Sequence, residues 1–276
     1  MLIREFAASD RTAAQMLLQQ TSMQPGQIEH WLKQRHCLVA SQDDAVVGLV
    51  ALAPGQPGFY AFFILVEPGM RRQGIGSALG QQLMAALPAD AEMICCPCPS
   101  QNVAGHAFLS AKAFAPWFTE ELMHYTGPTL ADPGLTVQPY TDADFEVWTG
   151  MINECFYPLR KAQDIRPHVI FKNDRATRQR LANSGNENLL FYDADQLVGL
   201  AGIAGSEIDP VAVAGDQRRK GYGRRITAYC TNQILSRGIS PVTLTVAASN
   251  RAARQLYESV SYRVVEQFDW FRLLLK

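Results

Sequence analysis

Short apolar runs alternate with helix-like segments along this chain, and the same order of segments occurs twice. Residues 59–66 and 208–213 are apolar runs that lead directly into glycine-containing turns and then into helical patterns. Residues 92–98 and 242–247 are the next apolar runs, each followed by a helical pattern and a final strand. Because short apolar runs between turn signals are typical of buried strands, each half is predicted to be an α/β (α+β) domain with a mixed sheet.

Internal similarity joins the two halves at four places in the same order. The matching segments are 3–10 with 137–144, 43–49 with 195–200, 66–76 with 213–223, and 102–114 with 250–262. The first pair is 134 residues apart and the second 151, which places 17 extra residues of the second half within 156–188. We therefore predict two domains, residues 1–127 and 135–276, joined by a proline- and glycine-rich segment.

The longest uncharged run, residues 45–66, is about as long as a membrane-spanning helix. Prolines and glycines at positions 54–58 interrupt it, so it predicts a β-hairpin and no membrane partner. The net charge of −1 and a pI near 6.5 argue against nucleic acid as a partner. Charged residues among the first six argue against an export signal, so a cytoplasmic location is predicted.

Six cysteines in a chain of this kind predict free thiols. Their only cluster, residues 95–98, has three cysteines and only His106 nearby, without the second ligand pair that a zinc site needs. We therefore predict no metal.

Two basic, glycine-containing turns carry the candidate chemistry. Residues 71–76 (Arg-Arg-Gln-Gly-Ile-Gly) and 218–224 (Arg-Arg-Lys-Gly-Tyr-Gly-Arg) each lie between a strand and a helix. The N-terminus of a helix attracts phosphate, and glycine allows its close approach, so a pyrophosphate ligand is predicted. A P-loop is excluded by spacing, and Leu79 and Ile226 stand where a dinucleotide fingerprint needs its third glycine. An ordinary helix start with basic residues is the alternative.

Arg-x-x-Gly-x-Gly after a strand ending in valine, with Asn250 and the sequence Ala-Ala-Arg-Gln-Leu-Tyr at 252–257, resembles the GNAT superfamily of acyl-CoA N-acyltransferases. The resemblance covers both halves and implies two tandem GNAT-like domains, with acetyl-CoA as co-substrate between two splayed parallel strands. The positions that it assigns to the cofactor are Val211, Val213, Arg218, Arg219, Lys220, Gly221, Tyr222, Gly223, Arg224 and Asn250, and in the first half Val66, Arg71, Arg72, Gln73, Gly74, Ile75 and Gly76.

The halves differ where the family places its proton-handling groups. Tyr257 matches the family's acid, whereas the corresponding position of the first half is Leu109. Strand alternation predicts that Glu207 and Asp209 share a side with Val211 and Val213. The matching positions in the first half are Tyr60, Phe62, Ile64 and Val66, which include no carboxylate. The second domain is therefore predicted to be catalytic and the first non-catalytic.

The predicted reaction is acetyl transfer to a primary amine of a small molecule or peptide. Asp209 or Glu207 would accept the amine's proton through water, the N–H of Val213 would hold the oxyanion, and Tyr257 would protonate the sulfur. A non-catalytic acetyl-CoA sensor or scaffold is the alternative function. Arg175, Arg178 and Arg180, inside the extra segment, predict either an acidic acceptor or a solvated helix face. The chain is expected to be a monomer or a homodimer.

Overall fold

The computed structural model describes residues 1–21, 23, 25–43, 45–183 and 187–275, and the side chains of Pro25 and Gln27 are not described. Lys276, the end of the second predicted domain, lies outside the described residues. The chain forms two compact units. Unit 1 comprises Met1–Cys98, Ala104–Pro116 and Trp270–Lys276, and unit 2 comprises Pro99–Val103 and Trp117–Asp269.

The first half of the chain contains six strands and four helices within the described residues. In chain order they are β1 (Leu2–Glu5), α1 (Arg11–Leu18), α2 (Pro25–Leu32), β2 (His36–Gln42), β3 (Ala45–Pro54), β4 (Phe59–Val66), α3 (Ile75–Ala85), β5 (Met93–Pro99), α4 (Val103–Ala111) and β6 (Ala115–Tyr125).

Strands β1 to β4 of unit 1 form an antiparallel meander, and β5 pairs with β4 in parallel. One face of this sheet packs against α1 and α2, with Leu49 and Phe63 in its core. The other face packs against α3 and α4, with Phe62 and Leu109 in its core. Each face therefore buries alternate residues of β4, as the period of two in a strand requires.

The second half repeats this order, and its first and third helices are longer than their counterparts. Its elements are β7 (Thr136–Pro139), α5 (Phe145–Ala162), α6 (Arg175–Ala182), β8 (Glu187–Asp193), β9 (Gln196–Ala204), β10 (Glu207–Val213), α7 (Tyr222–Ser236), β11 (Val242–Ala247), α8 (Arg251–Ser259) and β12 (Arg263–Leu274). In unit 2, α5 and α6 cover one face of the sheet, and α7 and α8 cover the other.

The extra length of the second half is located by comparing the helices. The first helix has 18 residues in the second half (α5) and 8 in the first half (α1), and residues 163–174 then lead to α6. No helix among the described residues is both long enough and apolar enough to cross a membrane. The predicted mixed α/β fold is confirmed.

Each unit is completed by a strand from the other half of the repeat. In unit 2, β6 pairs antiparallel with the whole of β11, from Val242 opposite Tyr125 to Ala247 opposite Glu120. In unit 1, Phe271 lies in the core beneath α3 and α4, and the N–H of Leu275 donates to the carbonyl of Glu92 at 2.8 Å. The consecutive domains 1–127 and 135–276 stay a prediction of how the repeat divides the sequence.

A β-bulge in β10 corrects the predicted alternation of its side chains. Ile208 is opposite Ile203 on β9, but Val211 is opposite Ala201, so Asp209 and Pro210 together oppose a single residue of β9. Ile208, Val211 and Val213 consequently all pack towards α7 and α8. The prediction that Glu207 and Asp209 share a side with Val211 and Val213 is wrong, because the extra residue reverses the alternation between them.

Candidate active site

The parallel strands β10 and β11 of unit 2 separate almost as soon as they pair. Their pairing is at Glu207 opposite Thr243. Further along, the N–H of Ala214 donates to the carbonyl of Val198 on β9 at 3.1 Å. Because backbone groups alternate in direction along a strand, the N–H groups of Val211 and Val213 point away from β9, into the opening beside β11. They are placed where an extended ligand could pair with β10.

Unit 1 has the same opening between β4 and β5. These strands pair over residues 59–61 and 93–95. The N–H of Glu67 donates to the carbonyl of Val47 on β3 at 2.9 Å, so the N–H groups of Ile64 and Val66 point away from β3. Both units therefore offer two backbone donors at the end of the strand that precedes the glycine turn.

Both glycine turns have the same backbone conformation. Arg219 and Gly221 have φ values of +61° and +89°, and Arg72 and Gly74 have +64° and +83°. Both glycines face open space, with no atom within 4 Å of the position that a Cβ would occupy. The turn leads into a helix whose first N–H groups have no partner within the helix. Each turn is thus a concave set of backbone donors suited to a phosphate.

The first arginine of each turn fixes the end of the preceding strand. Arg218 Nε donates to the carbonyl of Val213 at 3.2 Å, and Arg71 Nε donates to the carbonyl of Val66 at 3.1 Å. Arg218 also forms an ion pair with Glu154 of α5, with 3.2 Å between Nη2 and Oε1. These guanidinium groups therefore link each turn to the end of the strand before it.

The other predicted cofactor positions divide into exposed and engaged side chains. Tyr222 donates from its hydroxyl to Asp193 Oδ2 at 2.8 Å, and Asn250 caps α8 by accepting from the N–H of Ala253 at 3.2 Å. Ile75 and Gly223 are buried within their units. The exposed members, which surround the turns, are Arg72, Gln73, Gly74, Arg219, Lys220, Gly221 and Arg224.

Glu207 and Asp209 lie on the side of β10 that faces α5 and α6. Burial, and after it the negative charges of Asp209 and Glu120, raises the pKa of the half-buried Glu207 to about 7. Burial also raises the pKa of Asp209. The surrounding protein atoms disfavour the charged carboxylate, although Asp209 keeps exposed surface. The pair therefore includes a carboxyl group that changes charge near neutral pH.

Tyr257 lies on α8, with its ring in the core that α7 and α8 form over the sheet. Its side chain is buried, and its ring centroid is 6.2 Å from that of Tyr262. Burial, followed by the charges of Asp209 and Cys230, raises its pKa above the ordinary range. The hydroxyl therefore stays protonated at neutral pH and can act as a hydrogen-bond donor.

A small cavity in unit 2 opens beside the bulge of β10. Its volume is about 220 Å³, and its lining combines apolar and charged groups. The lining residues are Trp148, Phe171, Arg180, Leu181, Asn188, Asp209 and Pro210. Four of them lie within residues 156–188, which contain the extra length of the second half, so this segment shapes the space beside the candidate base.

The corresponding part of unit 1 is filled by aromatic side chains. With the bulge taken into account, Ala61 matches Glu207, because Ala61 pairs with Cys95 as Glu207 pairs with Thr243. Phe63 follows it on the same face and packs against Trp31 of α2, with 6.0 Å between ring centroids. No carboxylate stands at either position.

A larger cavity of about 540 Å³ lies on the opposite face of unit 1, between α3 and α4. Phe62, Ile64 and Phe108 form its apolar wall, and Gly74 and Ser77 place it beside the glycine turn. Leu109, the counterpart of Tyr257, is buried in the neighbouring core. Unit 1 thus has space next to its turn without a proton donor at the tyrosine position.

The cysteine cluster lies within unit 1 as buried thiols. Burial raises the pKa of Cys95 to about 12 and that of Cys96 well above its ordinary value, which disfavours the thiolate form that metals bind. Across the described ranges, no group of three or more histidine, cysteine, aspartate or glutamate side chains is arranged to hold a metal.

Sequence reasoning missed the bulge, the cavity beside it and the contribution of Glu120 to the charge at Glu207. Pro210 is the signal that could have revealed the bulge, because proline within a strand is largely confined to edges and bulges. Glu120 comes from β6, which the sequence assigned to the other half of the repeat.

Two family models match the chain. The one described as "Acetyltransferase (GNAT) family" matches residues 4–113, and the one described as "Acetyltransferase (GNAT) domain" matches residues 161–270. A mycothiol acetyltransferase of Kocuria rhizophila is 25% identical over 252 residues, covering 82% of this chain and 80% of the relative.

Solved structures with the same fold cover the whole chain. A GCN5-related N-acetyltransferase from Sphaerobacter thermophilus superimposes with a TM-score of 0.77 at 16% identity, covering 100% of this chain and 96% of the other. A tandem GNAT protein from the clavulanic acid biosynthesis pathway has a TM-score of 0.68 at 16% identity, with 99% and 98% covered. At this identity the likeness concerns the fold.

Proposed function

Because this chain belongs to the GNAT acetyltransferases and carries two GNAT domains in tandem, we propose that unit 2 transfers an acetyl group from acetyl-CoA to a primary amine of a small molecule or peptide. The observation that carries this assignment is that three features occur together in unit 2. They are the glycine turn at residues 218–224, the carboxylates of Glu207 and Asp209 on β10, and Tyr257. Acetyl-CoA supplies the activated acetyl thioester.

The residues of unit 2 fit such a co-substrate. The open space at Gly221 and the unpartnered N–H groups that begin α7 suit the diphosphate. The N–H groups of Val211 and Val213 suit an extended arm that pairs with β10 like an added strand. The N–H of Val213 is also our candidate for holding the developing oxyanion.

The carboxylates of β10 are the proposed general bases. An alkyl amine with a pKa of about 10.4 is protonated at pH 7, and freeing it costs about 4.6 kcal/mol. Asp209 lines the cavity where the amine would arrive, and Glu207 has a pKa of about 7, close to that of an efficient general base at neutral pH. The amine proton passes to this pair through water as the nitrogen attacks the acetyl carbon.

Tyr257 handles the leaving group. When the C–S bond breaks, the sulfur leaves as a thiolate, and an ordinary thiol has a pKa of about 8.5. A phenol whose pKa is raised by burial is a weaker acid than this thiol. Its contribution is therefore a hydrogen bond to the developing thiolate, and the sulfur takes up its proton from solvent afterwards.

Unit 1 is proposed to bind CoA without catalysing transfer. The conformation of its turn, its two free strand N–H groups and the cavity beside Gly74 support binding. Phe63, Ala61 and Leu109 occupy the positions of the proton-handling groups.

Two matched glycine variants test this division. Gly221→Ala and Gly74→Ala each place a Cβ at a positive φ in open space, so each is expected to cost about 1 kcal/mol of backbone strain. Gly221→Ala should raise the KM for acetyl-CoA severalfold or more, while Gly74→Ala should leave turnover unchanged and weaken a separate binding event in calorimetry. Turnover that survives Gly221→Ala and is lost in Gly74→Ala would refute the assignment.

A further inference from the structure

The cavity beside the bulge of β10 carries opposite charges that do not meet. Asp209 and Arg180 both line it. No ion pair joins the two in the part of the chain that the structure describes, and burial is what raises the pKa of Asp209. Two unlike charges that share one cavity without contact leave room for a ligand that carries a cationic and an anionic group and pairs with both.

The position of Arg180 is set by its surroundings. Its guanidinium lies 5.8 Å from the centroid of the Phe171 ring. The backbone of Phe171 is itself held by Asn153 of α5, which donates to its carbonyl at 2.7 Å and accepts from its N–H at 3.1 Å. Helix α6 begins with a capping bond from the N–H of Thr177 to Asp174 Oδ1 at 2.7 Å. The guanidinium of the exposed Arg180 side chain therefore lies beside a ring whose backbone is held by α5.

A hydrogen-bond donor without a partner lies buried behind the cavity lining. Trp148 is fully buried, and its indole N–H has no hydrogen-bond partner among the described residues and no surface that a ligand in the cavity could reach. The lining side chains that can donate to an oxyanion are therefore the guanidinium of Arg180 and the amide of Asn188, beside the carboxylate of Asp209.

We infer that the acceptor of the proposed acetyl transfer is a free amino acid, whose amine lies at Asp209 and whose carboxylate is held by Arg180, assisted by Asn188. This rests on the proposed function of unit 2. The size is suitable, because about 220 Å³ corresponds to about seven water molecules at about 30 Å³ each, which is room enough for a free amino acid with its side chain. Acetylation would form the amide N–C bond, break the C–S bond and leave the carboxylate unchanged.

The test compares acceptors that differ only in the carboxylate. Acetyl transfer to a panel of free L-amino acids is measured beside the matching amines that lack the carboxylate, at saturating acetyl-CoA. We expect a preference for the amino acid of at least about 10-fold, as a charge-assisted bidentate contact allows. Arg180→Gln should remove this preference by raising the KM for the amino acid about 10- to 100-fold, with little effect on the plain amine.

Arg178→Gln is the matched control on the same helix. Arg178 forms an ion pair with Asp142 at 2.6 Å and lies over the Phe145 ring, outside the cavity lining. It should leave the acceptor preference unchanged. A second readout without turnover is calorimetric titration with the amino acid in the presence of CoA, in which Arg180→Gln should weaken the binding detected.

The outcomes separate the two proposals. If Arg180→Gln changes transfer to amino acid and plain amine equally, the inference is overturned. It is also overturned if plain amines are acetylated and no amino acid is, while the proposed function stands. If no amine of either kind is acetylated and calorimetry detects no acetyl-CoA binding, the proposed function itself fails.

Discussion

Replacing Glu207 by glutamine should make the protein more stable at alkaline pH, although it removes a proposed catalytic group. Glu207 is half-buried beside Asp209 and Glu120, and this environment raises its pKa from 4.5 to about 7. At about 1.4 kcal/mol for each pKa unit, keeping it ionised in the folded state costs up to about 3 kcal/mol. The neutral amide avoids this cost.

The direction with pH follows from the raised pKa. Below about 4.5 the carboxyl group is protonated in both folded and unfolded states, and no penalty applies. As pH rises through about 7, the carboxyl group ionises in the folded state as well. The free energy of unfolding is then lower than at acidic pH, because the charged form is disfavoured at this buried position. Glu207→Gln should therefore match the wild type at pH 4.5 and exceed it by up to about 3 kcal/mol at pH 8.5.

Urea unfolding at a series of pH values measures this difference directly. The exposed Glu146 of α5 provides a control, since Glu146→Gln should shift stability little at any pH. In parallel, kcat/KM of the wild type should rise with pH through about 7, and Glu207→Gln should lose this limb along with activity. A stability difference that stays constant from pH 4.5 to 8.5 would refute the argument from burial and charge.

Three further variants test other parts of unit 2. Tyr257→Phe should lower kcat about 10-fold or more and leave the KM for acetyl-CoA and the urea midpoint nearly unchanged, because no hydrogen bond within the described residues depends on its hydroxyl. Asp209→Asn should lower kcat/KM about 100-fold or more in steady-state assays, whereas an unchanged pH profile would remove it from the proton path. Arg254→Met should cost about 3 kcal/mol in thermal unfolding, because Glu121, with a side chain 1% exposed, loses its ion pair at 2.9 Å.

Local chemistry made the glycine turns predictable from the sequence. Arg-x-x-Gly-x-Gly specifies a conformation that depends on residues close together in the chain, and the structure shows the same positive φ at Arg72 and Arg219 and at Gly74 and Gly221. The order of strands and helices was predictable for the same reason, since hydrophobic periodicity is a local property.

Features that depend on distant partners were not predictable in this way. Each half of the repeat contains a full set of strands, so no local pattern reveals that β6 pairs with β11. The cavity beside the bulge is lined by α5, α6, β8, β10 and Phe171, and from the sequence Trp148 is only an apolar residue on a helix. Only the structure shows that Trp148 is buried and that its N–H has no partner among the described residues.

One inserted residue explains much of the difference between the units. In a regular strand, positions six apart lie on the same face, so Glu207 and Val213 would share a face. The bulge at Asp209 and Pro210 turns the carboxylates towards α5 and α6 and keeps Val211 and Val213 towards α7 and α8. One strand can then present Val211 and Val213 to the proposed co-substrate and the two carboxylates to the proposed acceptor.

Converting unit 1 to the same chemistry would accordingly need several changes at once. A carboxylate at Phe63 alone would meet the ring of Trp31 where an acceptor must lie, and Leu109 would still offer no proton. The turn at Gly74, by contrast, depends only on backbone conformation, which many side chains around it tolerate. Because the proposed binding relies on backbone groups and the proposed transfer relies on a few side chains, we expect substitutions in one copy of the repeat to remove transfer more readily than binding.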